Sequence, residues 1–179
     1  MIRPIVITGD PVLHSPADPV TDFDRSLADL VADMFETTVA APGVGLAAPQ
    51  IGIGLQIFVW VYGDQDVAPP RGVAINPKLF IEPIQPGEPT STDREGCLSF
   101  PDEKFALRRS PRAILRARDA TGEPYVLEAT GWFARILQHE YDHLQGTLYV
   151  DRLIGEDAET VSRITKERSW GRPGLSWTP

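Results

Sequence analysis

The chain has 179 residues, 42% of them hydrophobic and 23% charged, which places it among single globular domains and excludes a disordered or fibrous protein. Seventeen Lys and Arg against 25 Asp and Glu leave a net charge of −8. That balance argues against a nucleic-acid binder and against an anionic membrane surface as partner. The one cysteine, Cys97, has no internal disulfide partner, so the fold does not depend on an oxidising compartment. No apolar run approaches the roughly 20 residues of a membrane span. The opening Met1-Ile2-Arg3-Pro4 leads into too few apolar residues for a signal peptide. The expectation is one cytoplasmic domain over residues 1–179.

Taken in chain order, Asp24-Arg25-Ser26 opens a helix to about Ala41, because Leu27, Leu30, Val31, Met34 and Phe35 recur at the spacing of one buried stripe. Asp22 or Asp24 is its cap, and Pro42-Gly43 stops it. The run from Gly43 to Gln50 is too poor in side chain to make a good core strand. Gln56 to Tyr62, β-branched and aromatic, predicts a strand. Gly63 to Arg71 reads as a polar loop. Val73-Ala74-Ile75 reads as a short strand that Asn76-Pro77 stops, since proline cannot donate to a ladder. Residues 82–94 carry three prolines and form a long loop or an irregular edge.

Further along, Arg112 to Asp119 and Pro124 to Ala129 predict a hairpin about Ala120-Thr121-Gly122. A helix follows from about Gly131 to Gln145, with Thr130 as cap and Gly146 past its end. A weaker helix runs from Glu156 to Trp170, and the Gly- and Pro-rich tail from Gly171 to Pro179 reads as loose. An early helix, several short strands and a late helix make the class α+β.

The chemistry concentrates in the late helix. The chain has three histidines, and two of them form the H-E-x-x-H pattern of His139-Glu140-Tyr141-Asp142-His143. Three His and 11 Glu in 179 residues make about 0.003 chance occurrences of that pattern. Four residues is about one helical turn, so both imidazoles share a face and can share a metal ion. Glu140, about 100° further round, flanks that ion and suits a base. Ile136 lies on the same face as the histidines, so the face points inward, and a buried polar trio calls for a compensating partner such as a metal. A third ligand is needed. Downstream stand only the acids Asp151, Glu156, Asp157, Glu159 and Glu167; upstream stands Cys97, in a glycine-flanked polar segment. A soft thiolate suits zinc or ferrous iron, and Cys97 is the favoured choice.

Three segments together resemble the peptide deformylases. Gly43-Val44-Gly45-Leu46-Ala47-Ala48-Pro49-Gln50 resembles that family's first motif. Glu95-Gly96-Cys97-Leu98-Ser99 matches its second and His139-Glu140-Tyr141-Asp142-His143 its third, in the same order. Met34-Phe35-Glu36-Thr37 and Ile75-Asn76-Pro77 fit as well. The resemblance implies removal of the N-formyl group from the initiator methionine of nascent polypeptides, releasing formate, with a working place near the ribosome. It implies a metal held by Cys97, His139 and His143, ferrous iron in the cell, with zinc, nickel or cobalt able to substitute. It implies an α+β fold with antiparallel sheets around the metal helix. Gln50 and the backbone N–H of Leu98 become the donors to the developing oxyanion, and Gly45 a backbone contact to substrate.

The chemistry follows from the residue types. A dication held by one thiolate and two neutral imidazoles acidifies a bound water, whose hydroxide attacks the formyl carbon. Glu140 takes the proton and returns it to the departing amine. Val44, Trp132 and Ile136 are candidates for the apolar pocket of the methionine side chain, with core packing as the alternative. Arg135 either forms an ion pair or lines the site, Lys104 falls in the loop after the second motif, and His14 is a surface or capping residue. The rival readings are another metallohydrolase, a cysteine hydrolase with Cys97 as nucleophile, and a binding module that kept the fold.

Overall fold

The computed structural model describes residues 1–62 and 71–179. The expected loop from Gly63 lies outside them as far as Pro70. Three α-helices and nine strands follow in chain order among the described residues: β1 (Ile5–Val6), α1 (Arg25–Ala40), β2 (Gly45–Ala47), β3 (Ile57–Trp60), β4 (Gly72–Ile81), β5 (Arg94–Cys97), β6 (Phe100–Ala106), β7 (Arg112–Arg118), β8 (Pro124–Thr130), α2 (Gly131–Leu144), α3 (Gly155–Glu167) and β9 (Ser176–Trp177). The class is α+β. One five-stranded antiparallel sheet runs β2-β3-β4-β7-β8, and two ribbons pair β5 with β6 and β1 with β9. No helix among the described residues is long and apolar enough to cross a membrane.

The sheet is sandwiched at its β2–β3 end. Along β3, Phe58 and Trp60 join a core with Phe133, Ile136 and Leu137 of α2. Ile57 and Val59 point the other way, into a core with Leu27, Val31 and Met34 of α1. This strand is buried on both faces, which is why its sequence is an unbroken apolar run with no alternation. Over β7, beyond the reach of α1, alternation returns: Ala113, Leu115 and Ala117 face α2, while Arg112, Ile114, Arg116 and Arg118 face outward. A third core gathers Leu13, Phe100, Phe105 and Tyr149 around Cys97.

Helix α1 starts where its pattern predicts, and the Asp24 carboxylate, not that of Asp22, accepts the Leu27 N–H at 3.1 Å. Helix α2 is the central one, with 11 of its 14 residues buried. Thr130 stands at its N-cap position without a side-chain bond. The turn is made by Gly131, whose φ of +58° favours glycine, and whose N–H reaches the Pro111 carbonyl at 2.9 Å.

Four expectations need correction. The small-residue run does form a strand, β2. Leu46 and Ala47 sit opposite Val59 and Phe58 of β3, so the partner strand supplies the bulk that β2 lacks. The strand at Val73 does not stop at Asn76-Pro77. It continues to Ile81 through a bulge, the register shifting between Ile75↔Arg118 and Lys78↔Arg116. A bulge leaves one residue outside the ladder, so proline's missing donor costs nothing there. Arg94, expected at the end of a loop or irregular edge, opens β5, and Lys104, expected in a loop, lies on β6, the two strands forming a hairpin that no local periodicity announced. The tail is not loose throughout, because Ser176 and Trp177 pair with Val6 and Ile5.

Asn76 holds the bulge. It has φ +50°, and its side-chain amide both accepts from the Val20 N–H and donates to the Val20 carbonyl, each at 2.8 Å. Asn76→Ala removes two part-buried hydrogen bonds and puts a Cβ-bearing residue without a compensating amide at positive φ. The expected loss is about 2–3 kcal/mol, which for a chain of this size lowers Tm by roughly 4–12 °C. Asn76→Gly, which keeps the backbone conformation, should lose less. Thermal denaturation of the two variants checks the ranking, and equal Tm values for wild type and Asn76→Ala would refute it.

Candidate metal centre and cleft

The second half of α2 carries His139 and His143 on one inward face, their ring centroids 5.0 Å apart. The end of β5 brings Cys97 to them, with Sγ 3.4 Å from His143 Nε2. All three donor atoms lie within 4.8 Å of one another, and all three residues are buried. His139 donates from Nδ1 to Glu95 at 2.6 Å, which leaves Nε2 for the cluster. Burial holds the His143 imidazole well below its usual range, in the neutral form that ligates. One thiolate and two imidazoles with a fourth side open to a cleft fit a divalent ion of the zinc or ferrous type. Among the described residues the downstream acids stay out of this cluster. Asp151, for instance, accepts the Leu148 N–H at 2.8 Å.

Glu140 stands beside the cluster without joining it. Its carboxylate packs on the backbone of Gly45 so closely that a Cβ there would lie 2.3 Å from Oε1. This is the steric reason for glycine at position 45. Burial pushes the Glu140 carboxyl up to about 7, and Oε2 has no hydrogen-bond partner among the described residues. Gln50 comes from a short 3-10 turn, Ala48–Ile51. Its Oε1 accepts the Ala47 N–H at 2.9 Å, which fixes the amide so that Nε2 points at Cys97 Sγ, 3.6 Å away, and Ser99 Oγ, 3.4 Å away. Leu98 and Ser99 are the two-residue turn of the β5–β6 hairpin.

These groups open on a cleft of about 700 Å³ lined by Gly43, Val44 and Gly45 on one side and by Trp132 and Ile136 on another. Val44 is 43% exposed and Trp132 39%, whereas Ile136 is buried. Trp132 and Val44 therefore form its accessible apolar walls. Lys104 lies on β6, not in a loop, and also lines the cleft. Arg135 does both things the sequence left open: it lines the cleft, and it pairs with Asp93 at 2.7 Å and Glu95 at 3.0 Å. His14 is exposed, and its Nε2 accepts the Gly9 N–H at 2.9 Å, a local loop contact away from the cleft.

The residues that sequence reasoning did not single out are those behind the histidines. Arg109 grips Glu95 with two bonds of 3.0 and 2.9 Å and reaches Asp142 at 2.6 Å. Arg152 closes the far side of Asp142 at 2.5 Å. Burial by itself would raise the Glu95 carboxyl, but hydrogen bonds from His139 and Arg109 outweigh it and hold that group down at about 2. Tyr149 packs its ring 5.7 Å from that of His139. Asp142 and Glu95 lay inside the recognised motifs, whereas Arg109 had no local signal, since its partners are 14 and 33 residues away.

A donor cluster of this kind, next to a carboxylate that ligates nothing, defines the class: a hydrolase organised around one metal-binding site. The comparisons with known proteins agree. The family model for polypeptide deformylase matches residues 2–159. Peptide deformylase of Tropheryma whipplei (strain TW08/27) is 50% identical over 99% of this chain and 94% of its own length. That of Mycolicibacterium paratuberculosis is 48% identical over the same shares. The crystal structure of peptide deformylase from Thermus thermophilus superposes with a TM-score of 0.79 at 38% identity, covering 93% of this chain and 94% of that one. The chain belongs to the peptide deformylase family and is a hydrolase of that kind.

The charge network makes a stability prediction. Arg109 is 5% exposed and faces two buried carboxylates. Arg109→Met removes the cation they share, leaving Glu95 to His139 and Arg135 and Asp142 to Arg152 alone, and the expected loss is about 3 kcal/mol, the low end for breaking a buried pair. Arg152, 47% exposed, meets Asp142 partly in water, so Arg152→Met should cost well under half as much. Urea denaturation of the two variants measures the difference; similar midpoints would show that Arg109 is not the keystone of the network.

Proposed function

We propose that this chain removes the N-formyl group from the N-terminal formylmethionine of newly synthesised polypeptides and releases formate. The observation that carries the reading is Glu140, a buried carboxylate packed on Gly45 beside three converging donors it does not join. Cys97, His139 and His143 are the ligands in this reading. A divalent ion bound there supplies Lewis acidity, polarising the formyl carbonyl and easing deprotonation of water.

The chain's own groups do the rest. Glu140 accepts a proton from the attacking water as its oxygen bonds to the formyl carbon, and then delivers that proton to the amide nitrogen as the C–N bond breaks. Gln50 Nε2 and the Leu98 N–H donate to the oxygen on which negative charge develops. Val44, Trp132 and Ile136 receive the methionine side chain, whose thioether needs apolar walls. Gly45 lets the substrate backbone run close to β2. Iron(II) is the ion this reading assigns in the cell, with zinc, nickel or cobalt as substitutes, supported by a soft thiolate paired with two imidazoles. The substrate, a chain leaving the ribosome, puts the work in the cytoplasm.

Glu140→Ala should keep its metal and lose nearly all deformylation, because a proton carrier is removed and no ligand is. Metal content and formate release, measured together on protein purified without oxygen, check this. Iron at wild-type stoichiometry with turnover abolished is expected, and metal loss would make Glu140 a ligand instead. Gln50→Leu should lower kcat by roughly 100-fold with KM little changed, the scale of one lost oxyanion donor. A tenfold rise in KM with kcat intact would restrict Gln50 to substrate binding.

A further inference from the structure

The hairpin turn that carries Leu98 is braced from outside by both ends of the described chain. From the N-terminal side, the Thr8 N–H bonds to the Ser99 carbonyl at 2.9 Å. From the C-terminal side, Trp177 donates its indole Nε1–H to the Leu98 carbonyl at 2.9 Å. Those two segments are tied to each other. Strand β1 pairs with β9, the Ile7 N–H reaches the Leu175 carbonyl at 2.9 Å, and the Gly171 N–H reaches the Thr8 carbonyl at 3.1 Å. Gly9 and Gly171 approach so closely that a Cβ on Gly9 would lie 2.2 Å from the Gly171 backbone. The strap is anchored again at Trp170, edge-on to Phe100 with centroids 5.0 Å apart, and at Arg168, 2.7 Å from Glu103.

Trp177 is also a wall of the cleft itself. It lies beside Leu98 in the apolar cluster that continues from α1. A Cβ on Gly43 would touch Leu98 Cδ1 at 3.0 Å, so Gly43, Leu98 and Trp177 close one end of the cleft. The candidate methionine walls Trp132 and Ile136 belong instead to α2. Trp177 falls beyond residue 159, where the match to the family model ends.

We propose that Trp177 is a positioning residue for Leu98 and an apolar wall for the substrate side chain that follows formylmethionine, so that the C-terminal strap is part of the active site. The proposal rests on the deformylase reading above. The Leu98 carbonyl and the Leu98 N–H are separated only by that residue's own φ and ψ, so pinning the carbonyl restrains the direction of the N–H. Without the indole bond that N–H loses its fixed direction while remaining present. The ring face, separately, offers apolar contact to an aliphatic or aromatic side chain and nothing to a small one.

The two roles separate by substitution. Trp177→Phe keeps a ring and removes the N–H. Trp177→Ala removes both. Asn76→Ala, in the β4 bulge outside the strap and the cleft, lowers stability without touching Leu98 and serves as the purely structural control. Each is assayed with formyl-Met-Ala-Ser and formyl-Met-Leu-Ser peptides, with metal content checked and rates expressed per folded protein. Trp177→Phe should lower kcat by about tenfold on both peptides with KM within twofold, a partial version of losing one oxyanion donor. Trp177→Ala should add a rise in KM of about fivefold for the Leu peptide alone, the scale of a lost apolar contact. Asn76→Ala should lower Tm with both kinetic constants unchanged. Wild-type kcat in Trp177→Phe, or unchanged peptide preference in Trp177→Ala, overturns the proposal while leaving the deformylase reading in place. A wild-type chain that releases no formate from either peptide overturns both.

Discussion

The Glu95 carboxylate is buried among an imidazole and two guanidinium groups that reach it from different parts of the chain, and the centre of the molecule depends on all of them arriving. His139 comes from α2 at 2.6 Å, Arg135 from the same helix at 3.0 Å, and Arg109 from the segment before β7 at 2.9 Å. A carboxylate this deep would otherwise be protonated or expelled. With its partners it stays ionised, and as an acceptor it obliges His139 to carry its proton on Nδ1. The tautomer of a candidate ligand is thus fixed by a residue that stands two places before the candidate thiolate. Hairpin β5–β6 and helix α2 are joined by charge before any ion is considered.

How much of this could be read in advance depended on how local each cause is. Helix α1 was legible because five apolar side chains repeat at helical spacing and Asp24 caps them, all within 12 residues. The β7–β8 hairpin was legible from alternation and from a glycine turn. Strand β2 was not, because its stability comes from Val59 and Phe58 across the ladder, and its own side chains are small. Nor was the run of β4 through Asn76-Pro77, where the amide of Asn76 closes on Val20, 56 residues away. Strand β9 depends on a partner at the opposite end of the chain.

The site shows the same division. Cys97, His139 and His143 could be named because metal chemistry restricts residue type and because a helix turns every 3.6 residues. Gly45, Gln50 and Leu98 were reached through motif resemblance and Val44 and Ile136 through their place on an apolar face, and the structure brings all of them to one cleft. Arg109 and Trp177 carried no such mark. An arginine in a basic stretch and a tryptophan in a Gly- and Pro-rich tail look like surface until the chain is folded. The steric reason for Gly45 likewise needs Glu140, 95 positions on, to be in place.

The candidate ligands stand on supports of unequal strength. Strand β3 is paired on both edges and covered on both faces, and α2 is packed against it, so both histidines stand on a helix backed by a fully buried strand. Cys97 ends a strand of a two-stranded ribbon, a unit with little stability of its own. What holds the thiolate beside the imidazoles is therefore what the ribbon touches: the Glu95 ion pairs, the Thr8 and Trp177 hydrogen bonds at its turn, and the core around Phe100. The spacing of the three donors is thus set at the joint between ribbon and helix, and not by the ribbon itself.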